Sequence, residues 1–365
     1  MHKVRFYPLG NADTTLIMLD NKKAILFDYA DMLDREDEYD KRIDLPSELE
    51  QTVDGDFEVV AFTHADQDHI NKFSEFFFLE HADKYQSDNR KKIKTLWVPA
   101  SIILEPNLKD EAAILRAEAR HRLKKGKGIR VFSKPEKLED WLKSEGLSLK
   151  GRESCITGAG KIAPEFSLEE DGVEFFVHAP FVDSIDEEAY DRNNAGLVVQ
   201  VTFTSENETT KLILGADVDY DIWNEIVKIT KYYKRTGRLN WDIFKISHHC
   251  SYLALNEEKG KDKTEPTDNV KWLFQQGNEK GYLVATCKPI PNNDDDKQPP
   301  HRQAANYYKD VENDIKGSFI VTMEHPNKNQ PKPVVIKIDG SKATHEKKNA
   351  AAVTVLTQKS SPRAG

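Results

Sequence analysis

The sequence predicts an α/β protein built from two strand-rich halves. Three observations carry this. Short apolar segments of strand length alternate with amphipathic stretches of helical period. Each half shares one style, a β-meander, a helix and then a strand that ends in metal-type residues. Histidine and aspartate recur at the C-terminal ends of those strands, where a rigid backbone lets side chains from distant segments converge. With 365 residues the chain is long enough to bury a large core.

The first thirty residues alternate as strands do, in Val4–Pro8, Thr15–Leu19 and Lys23–Asp28, with the turn-formers Gly10-Asn11 and Asp20-Asn21 between them. An acidic connection leads to the strand Glu58–Thr63, which runs directly into His64. Residues 70 to 90 read as helical, with Phe73, Phe76, Phe77 and Leu79 on an apolar face. A strand follows at Thr95–Pro99. The spacing predicts a helix from Asn107 to Lys125, stopped by Gly126 and Gly128, and an amphipathic stretch from Pro135 to Glu145. Strands are expected at Val173–Val177, Gly196–Phe203, Lys211–Leu214 and Asp242–Ile246, with a helix over Asp221–Tyr233. Residues 1–345 form the expected domain, carrying a helical insertion around 76–151. Residues 346–365 are expected to give a terminal strand and a disordered tail.

No stretch approaches the roughly 20 apolar residues that cross a bilayer. Three cysteines, Cys155, Cys250 and Cys287, are too few and too scattered for a disulfide framework, and a cytoplasmic location is expected. The net charge of -9 gives no general attraction to nucleic acid or to an anionic membrane, although a local basic groove remains compatible with it. Such a groove is sought at the Lys/Arg-rich helix end, where Arg116, Arg120 and Lys124 are candidates for holding a phosphodiester backbone.

His64, Asp66, Asp68 and His69 fall within six residues. So tight a cluster of hard and borderline donors calls for a divalent cation as counter-charge. The segment His64-Ala-Asp66-Gln-Asp68-His69 resembles the His-x-His-x-Asp-His signature of the metallo-β-lactamase superfamily, with Asp66 in place of the middle histidine. Later motifs resemble one branch, the hydrolase domain of the competence protein ComEC: Val177-His178-Ala-Pro180, Asn193-Asn194-Ala-Gly-Leu197-Val198, Leu214-Gly-Ala-Asp217 and Ile246-Ser-His248-His249-Cys250-Ser251. Gly10-Asn-Ala-Asp13 and Pro299-Pro300-His301 loosely echo two more segments of that pattern. The resemblance covers about residues 3 to 340. Departures are Ala195-Gly196 for the usual x-Ser, Cys250 for a glycine, and the lack of the membrane channel, so DNA uptake is not implied.

The resemblance implies an αββα sandwich of two mixed sheets flanked by helices, with two divalent metal ions at one edge between them. It places His64, Asp66 and His178 on one metal, and Asp68, His69 and one of His248 and His249 on the other, His248 being preferred, with Asp217 bridging. The oxygen-rich set favours Mn²⁺ or Mg²⁺ beside Zn²⁺. Asp68 is expected to orient the attacking water, His249 and His301 to contact substrate or donate a proton, and Asn193 and Asn194 to touch substrate. The expected activity is metal-dependent hydrolysis, with a phosphodiester in a nucleic acid or nucleotide as substrate. Hydrolysis of a carboxylic ester, lactone or amide is the alternative, and a catalytically inert binding or regulatory module is the second.

Overall fold

The computed structural model describes residues 1–182 and 191–346. The tail expected to be disordered lies outside the described residues. Among them, the apolar segments pair into two sheets. The first carries β1 (His2–Phe6), β2 (Thr15–Met18), β3 (Ala24–Phe27), β4 (Phe57–Ala61), β5 (Ile93–Pro99), β6 (Ile129–Phe132), β7 (Ile156–Thr157), β14 (Val334–Asp339) and β15 (Lys342–His345), in the order β15-β14-β1-β2-β3-β4-β5-β6-β7. The second carries β8 (Val173–Ala179), β9 (Val198–Ser205), β10 (Glu208–Leu214), β11 (Trp241–Lys245), β12 (Gly277–Ala285) and β13 (Ser318–Val321), in the order β13-β12-β11-β10-β9-β8. Both sheets are mixed. The first turns from antiparallel to parallel at β3–β4, and the second does so at β10–β11.

Strand periodicity explains the layering, since successive side chains point to opposite faces. In β4, Val59 and Ala61 join Phe27, Trp97, Phe175, Val177, Val199 and Leu212 in the core between the sheets. Val60 faces the other way, with Leu49, Phe73, Leu115 and Ala119. These belong to helices α1 (Leu45–Thr52), α3 (Phe73–Phe76) and α5 (Asp110–Lys125); the short α2 (Gln67–Ile70) and α4 (Ala100–Leu104) lie between them in sequence. Ile213, Phe244 and Leu283 face outward from the second sheet. They pack on Trp223 and Ile226 of α8 (Tyr220–Tyr232), Phe274 of α9 (Asp268–Phe274) and Tyr308 of α10 (Arg302–Asp314). Each large apolar side chain so buried contributes about 1.5–3 kcal/mol. The result is the expected αββα sandwich. α6 (Glu136–Ser144) and α7 (Leu168–Asp171) complete the helices used here.

Two expectations change. Within the segment 76–151 the expected strand at Thr95–Pro99 is part of β5, and β6 adds a strand that was not expected, both extending the first sheet by parallel pairing. The cations of α5 serve the fold. The guanidinium of Arg116 donates to the Glu105 carbonyl (2.6 Å), and Arg120 donates to the Ile103 carbonyl from two nitrogens (2.9 and 2.7 Å). Lys124 pairs with Glu145 at 2.6 Å. The guanidinium donors of Arg116 and Arg120 are thus turned to backbone carbonyls and Lys124 is neutralised by a carboxylate, so the run is not a row of unengaged cations. No described helix is long and apolar enough to cross a membrane.

Candidate metal centre

Five strand ends and one turn meet at one edge of the sandwich. Asp13 sits in the turn between β1 and β2, and its N–H donates to the Asp68 carbonyl (2.9 Å). Asp28 follows β3 in a left-handed conformation, with φ 58°. The loop after β4 brings Thr63, His64 and Asp66 and then, on α2, Asp68 and His69. Asp217 follows β10. His248 and His249 follow β11, and Thr286 follows β12.

One donor atom from each of Asp68, His69, Asp217 and His249 lies within 4.8 Å of the others, and Asp13, Asp28 and His69 form a second such group. Two histidine orientations are fixed from behind. His69 Nδ1 donates to Asp28 Oδ2 at 2.8 Å, leaving Nε2 aimed at Asp217 Oδ1, 3.4 Å away. His249 Nδ1 donates to the Thr286 carbonyl at 2.8 Å, leaving Nε2 3.2 Å from both Asp68 Oδ2 and Asp217 Oδ2. Asp28 is in turn held by the N–H and hydroxyl of Thr63 (2.7 and 2.8 Å). Metal-binding histidines are oriented this way, by a hydrogen bond at the nitrogen that does not bind.

The electrostatics agree. Burial opposes charge on His69, but the Asp217 and Asp28 carboxylates outweigh it and lift its pKa well above the usual range. Burial likewise opposes charge on His249, where Asp217 and then Asp68 raise it to about 10. Burial would raise Asp217, yet the two imidazoles hold it well below the usual carboxylate range. Without a cation, protons on the imidazoles balance the carboxylates. His64 Nε2, His69 Nε2 and Asp217 Oδ1 are all buried and without a hydrogen-bond partner. Unpaired buried polar atoms are costly, and three at one point fit a divalent cation as the missing partner.

A fixed cation stands behind the cluster. The buried Lys245 ammonium contacts Asp13, which also accepts from the Thr286 hydroxyl, and lies 3.8 Å from Asp217 Oδ1. Burial disfavours its charge, but Asp13 and Asp217 more than compensate and raise its pKa.

The other expected residues lie as follows. His64 Nε2 is 3.8 Å from Asp66 Oδ2, and its ring centroid is 3.9 Å from that of His69. Asp66 Oδ1 is held at 2.6 Å by Arg192, which also grips Glu105. His178 is not brought to the cluster. Its Nε2 donates to the Arg238 carbonyl at 2.9 Å, and burial lowers its pKa to about 4. The cause is strand geometry: Val177 faces the inter-sheet core, so His178 takes the outer face beside Phe176, and a bulge separates Val177 from Ala179. His249, rather than the preferred His248, meets Asp68 and Asp217. His248 instead donates to Asp219 Oδ1 at 3.2 Å and stays partly exposed. His301 uses both ring nitrogens: Nδ1 accepts from the Tyr252 N–H at 3.3 Å and Nε2 donates to the Lys297 carbonyl at 3.2 Å. Asn193 and Asn194 shape a turn around Asp191, whose carboxylate accepts their N–H groups (3.0 and 3.3 Å).

Asp28, Thr63, Arg192, Lys245 and Thr286 were not singled out from sequence. Asp28 carried a usable signal, an aspartate ending an apolar strand. Lys245 carried another, a lone lysine in the buried strand Asp242–Ile246.

No family model and no curated protein sequence matches the chain. Solved structures do. The metallo-beta-lactamase fold protein YhfI from Bacillus subtilis is similar at 8% identity over 92% of this chain and 100% of that one, with a TM-score of 0.41. Zn²⁺-bound PqqB from Methylobacterium extorquens is similar at 8% identity over 87% and 97%, with a TM-score of 0.41. Unliganded yeast PDE1 is similar at 10% identity over 88% and 96%, with a TM-score of 0.40.

Proposed function

We propose that this chain is a metal-dependent hydrolase of the metallo-β-lactamase fold that cleaves phosphodiesters in a nucleic acid or nucleotide. The observation that carries the reading is the convergence of Asp68, His69, Asp217 and His249, with both histidines anchored from behind and three buried polar atoms left unpaired. Those four residues would hold one divalent cation. His64 and Asp66, 3.8 Å apart, would offer two donors toward a second. When bound, such cations supply Lewis acidity and a nucleophile at neutral pH by lowering the pKa of water.

The chain's own residues do the rest. Asp68, on the open side of the cluster, orients the attacking water and accepts its proton. Asp28 and the Thr286 carbonyl keep the two imidazoles presented by Nε2. Lys245 holds Asp13 and Asp217 in place. His248 donates the proton that the leaving oxygen needs: it is partly exposed, and its bond to Asp219, against the opposing effect of burial, raises its pKa. The carboxylate-rich donor set supports phosphate as the target, because hard cations on carboxylates pair readily with phosphate oxygens. The order of motifs along the sequence supports it further.

The test is hydrolysis of bis-p-nitrophenyl phosphate and of single- and double-stranded DNA and RNA with added Mn²⁺ or Zn²⁺, with Asp68→Ala alongside. Phosphodiester turnover that disappears in the variant is expected. Turnover of carboxylic esters or lactones alone would replace the substrate assignment, and metal binding without turnover of any of these would leave a binding module.

A further inference from the structure

On the outer face of the second sheet lies a groove of about 760 Å³, between residues 159–161, the end of β8 and the C-terminal half of α8. Its floor is apolar, formed by Phe176, Phe181, Ile226 and Ile229 beside the buried His178 ring. Tyr232 and Tyr233 stand at its rim with relative exposures of 79% and 60%, unusual for rings of that size, and meet edge to face at 5.1 Å.

The rim is also basic in an acidic chain. Between Glu225 and Asp242 there is no acidic residue, while Lys228, Lys231, Lys234, Arg235 and Arg238 follow one another. Lys228 and Arg238 are neutralised by Glu225 and Glu174. Of the cations that line the groove, Lys161 and Arg235 have no carboxylate partner among the described residues. Lys231 turns to α9 instead, donating to Asn269 Oδ1 at 3.1 Å and lying 4.2 Å over the Trp272 ring, whereas Arg235 donates to the Gly160 carbonyl at 3.1 Å and stacks at 5.5 Å on Tyr233.

This surface is separate from the metal centre. Asp219, which accepts from His248, caps the N-terminus of α8, whereas Tyr232 ends the helix, about 18 Å away at 1.5 Å per residue.

We propose that this groove binds a single-stranded nucleic acid segment, with bases stacked on Tyr232 and Tyr233 and backbone phosphates held by Lys161 and Arg235. Exposed aromatic faces beside unpaired cations are what an unpaired strand needs, since every base has a π-face and every linkage a negative charge. An apolar partner peptide would leave the two cations without a role. A duplex would leave the tyrosines without one, because its bases are already stacked. The proposal stands on this groove alone and does not need the metal chemistry to be correct.

The experiment is fluorescence anisotropy of labelled oligothymidylate and oligouridylate with the full chain kept in EDTA, at several salt concentrations. A mixed-sequence duplex and phosphatidylglycerol vesicles serve as competitors. Saturable single-strand binding is expected, with log K falling against log salt at a slope of about -1.4 for two neutralised phosphates. Tyr232→Ala and Tyr233→Ala should each weaken it roughly tenfold. Lys161→Gln should weaken it and flatten the slope by about 0.7. Asp68→Ala should bind as the wild type does, and the groove variants should keep any turnover of bis-p-nitrophenyl phosphate. Failure to bind either oligonucleotide at low salt would overturn the proposal. So would binding that the groove variants leave unchanged, or displacement by vesicles but not by unlabelled strand.

Discussion

At the residue scale, the centre depends on which nitrogen of each histidine is occupied from behind. His69 and His249 each spend Nδ1 on a fixed acceptor, and that bond decides what Nε2 faces. His178 spends Nε2 on a backbone carbonyl on the other face of its strand. Replacing His178 by phenylalanine should therefore leave the metal content of the chain unchanged, as measured by metal analysis after dialysis; a loss would place His178 at the centre after all. Lys245 makes a different prediction. Removing a buried ammonium leaves Asp13 as a buried charge without its cation, which costs about 3–5 kcal/mol. Lys245→Met should show that loss in urea unfolding, and an unchanged midpoint would contradict the pairing. Sequence alone could not separate His248 from His249, because both follow the same strand. What separates them is backbone: His248, His249 and Cys250 all take left-handed conformations, with φ of 51°, 50° and 65°. Three successive non-glycine residues in that region bend the chain sharply and carry a strain of roughly 1–3 kcal/mol each. The departure at Cys250 falls where a glycine would adopt the same φ without cost.

At the scale of elements, the strands were legible and their outer decoration was not. Short apolar segments identified β1 to β5 and β8 to β11 because strands buried on both faces demand such residues. His178 follows Val177 in the alternation of β8 and so faces outward, and the bulge between Val177 and Ala179 has no such signature in sequence. Helix α5 shows a similar limit. Its lysines and arginines form a run in sequence, yet Arg122 is buried against Glu118 (2.7 Å), whose carboxylate also accepts from the N–H groups of Glu80 and His81. A charge pattern along the chain does not reveal carbonyls and carboxylates that arrive from elsewhere. Glu118 makes the local prediction. Burial raises its pKa, but His81 and then Arg122 outweigh that and hold it at about 2. A carboxyl lowered on folding contributes stability above its unfolded pKa and loses it as pH falls toward the folded value. Glu118 should thus contribute roughly 3 kcal/mol at neutral pH, lost progressively between about pH 5 and pH 2. Urea unfolding across that range should show a shallower acid limb in Glu118→Gln than in the wild type. Parallel limbs would remove Glu118 as a source of acid sensitivity.

At the scale of the whole molecule, the two sheets bring Asp68 and His69 from one half against Asp217 and His249 from the other. A cation held there links the halves, and it binds the folded state only. At a hundred times its dissociation constant it should add about 2.7 kcal/mol to unfolding stability. That gain should vanish in Asp217→Asn, which thermal unfolding with and without Mn²⁺ or Zn²⁺ would report. The most direct test is the metal content of the purified chain after dialysis, compared for wild type, His249→Ala and His248→Ala. The wild type and His248→Ala should retain divalent metal in equal amount, and His249→Ala should lose it. A wild type that binds none, or a His249→Ala chain that retains its full complement, would contradict the metal centre described here.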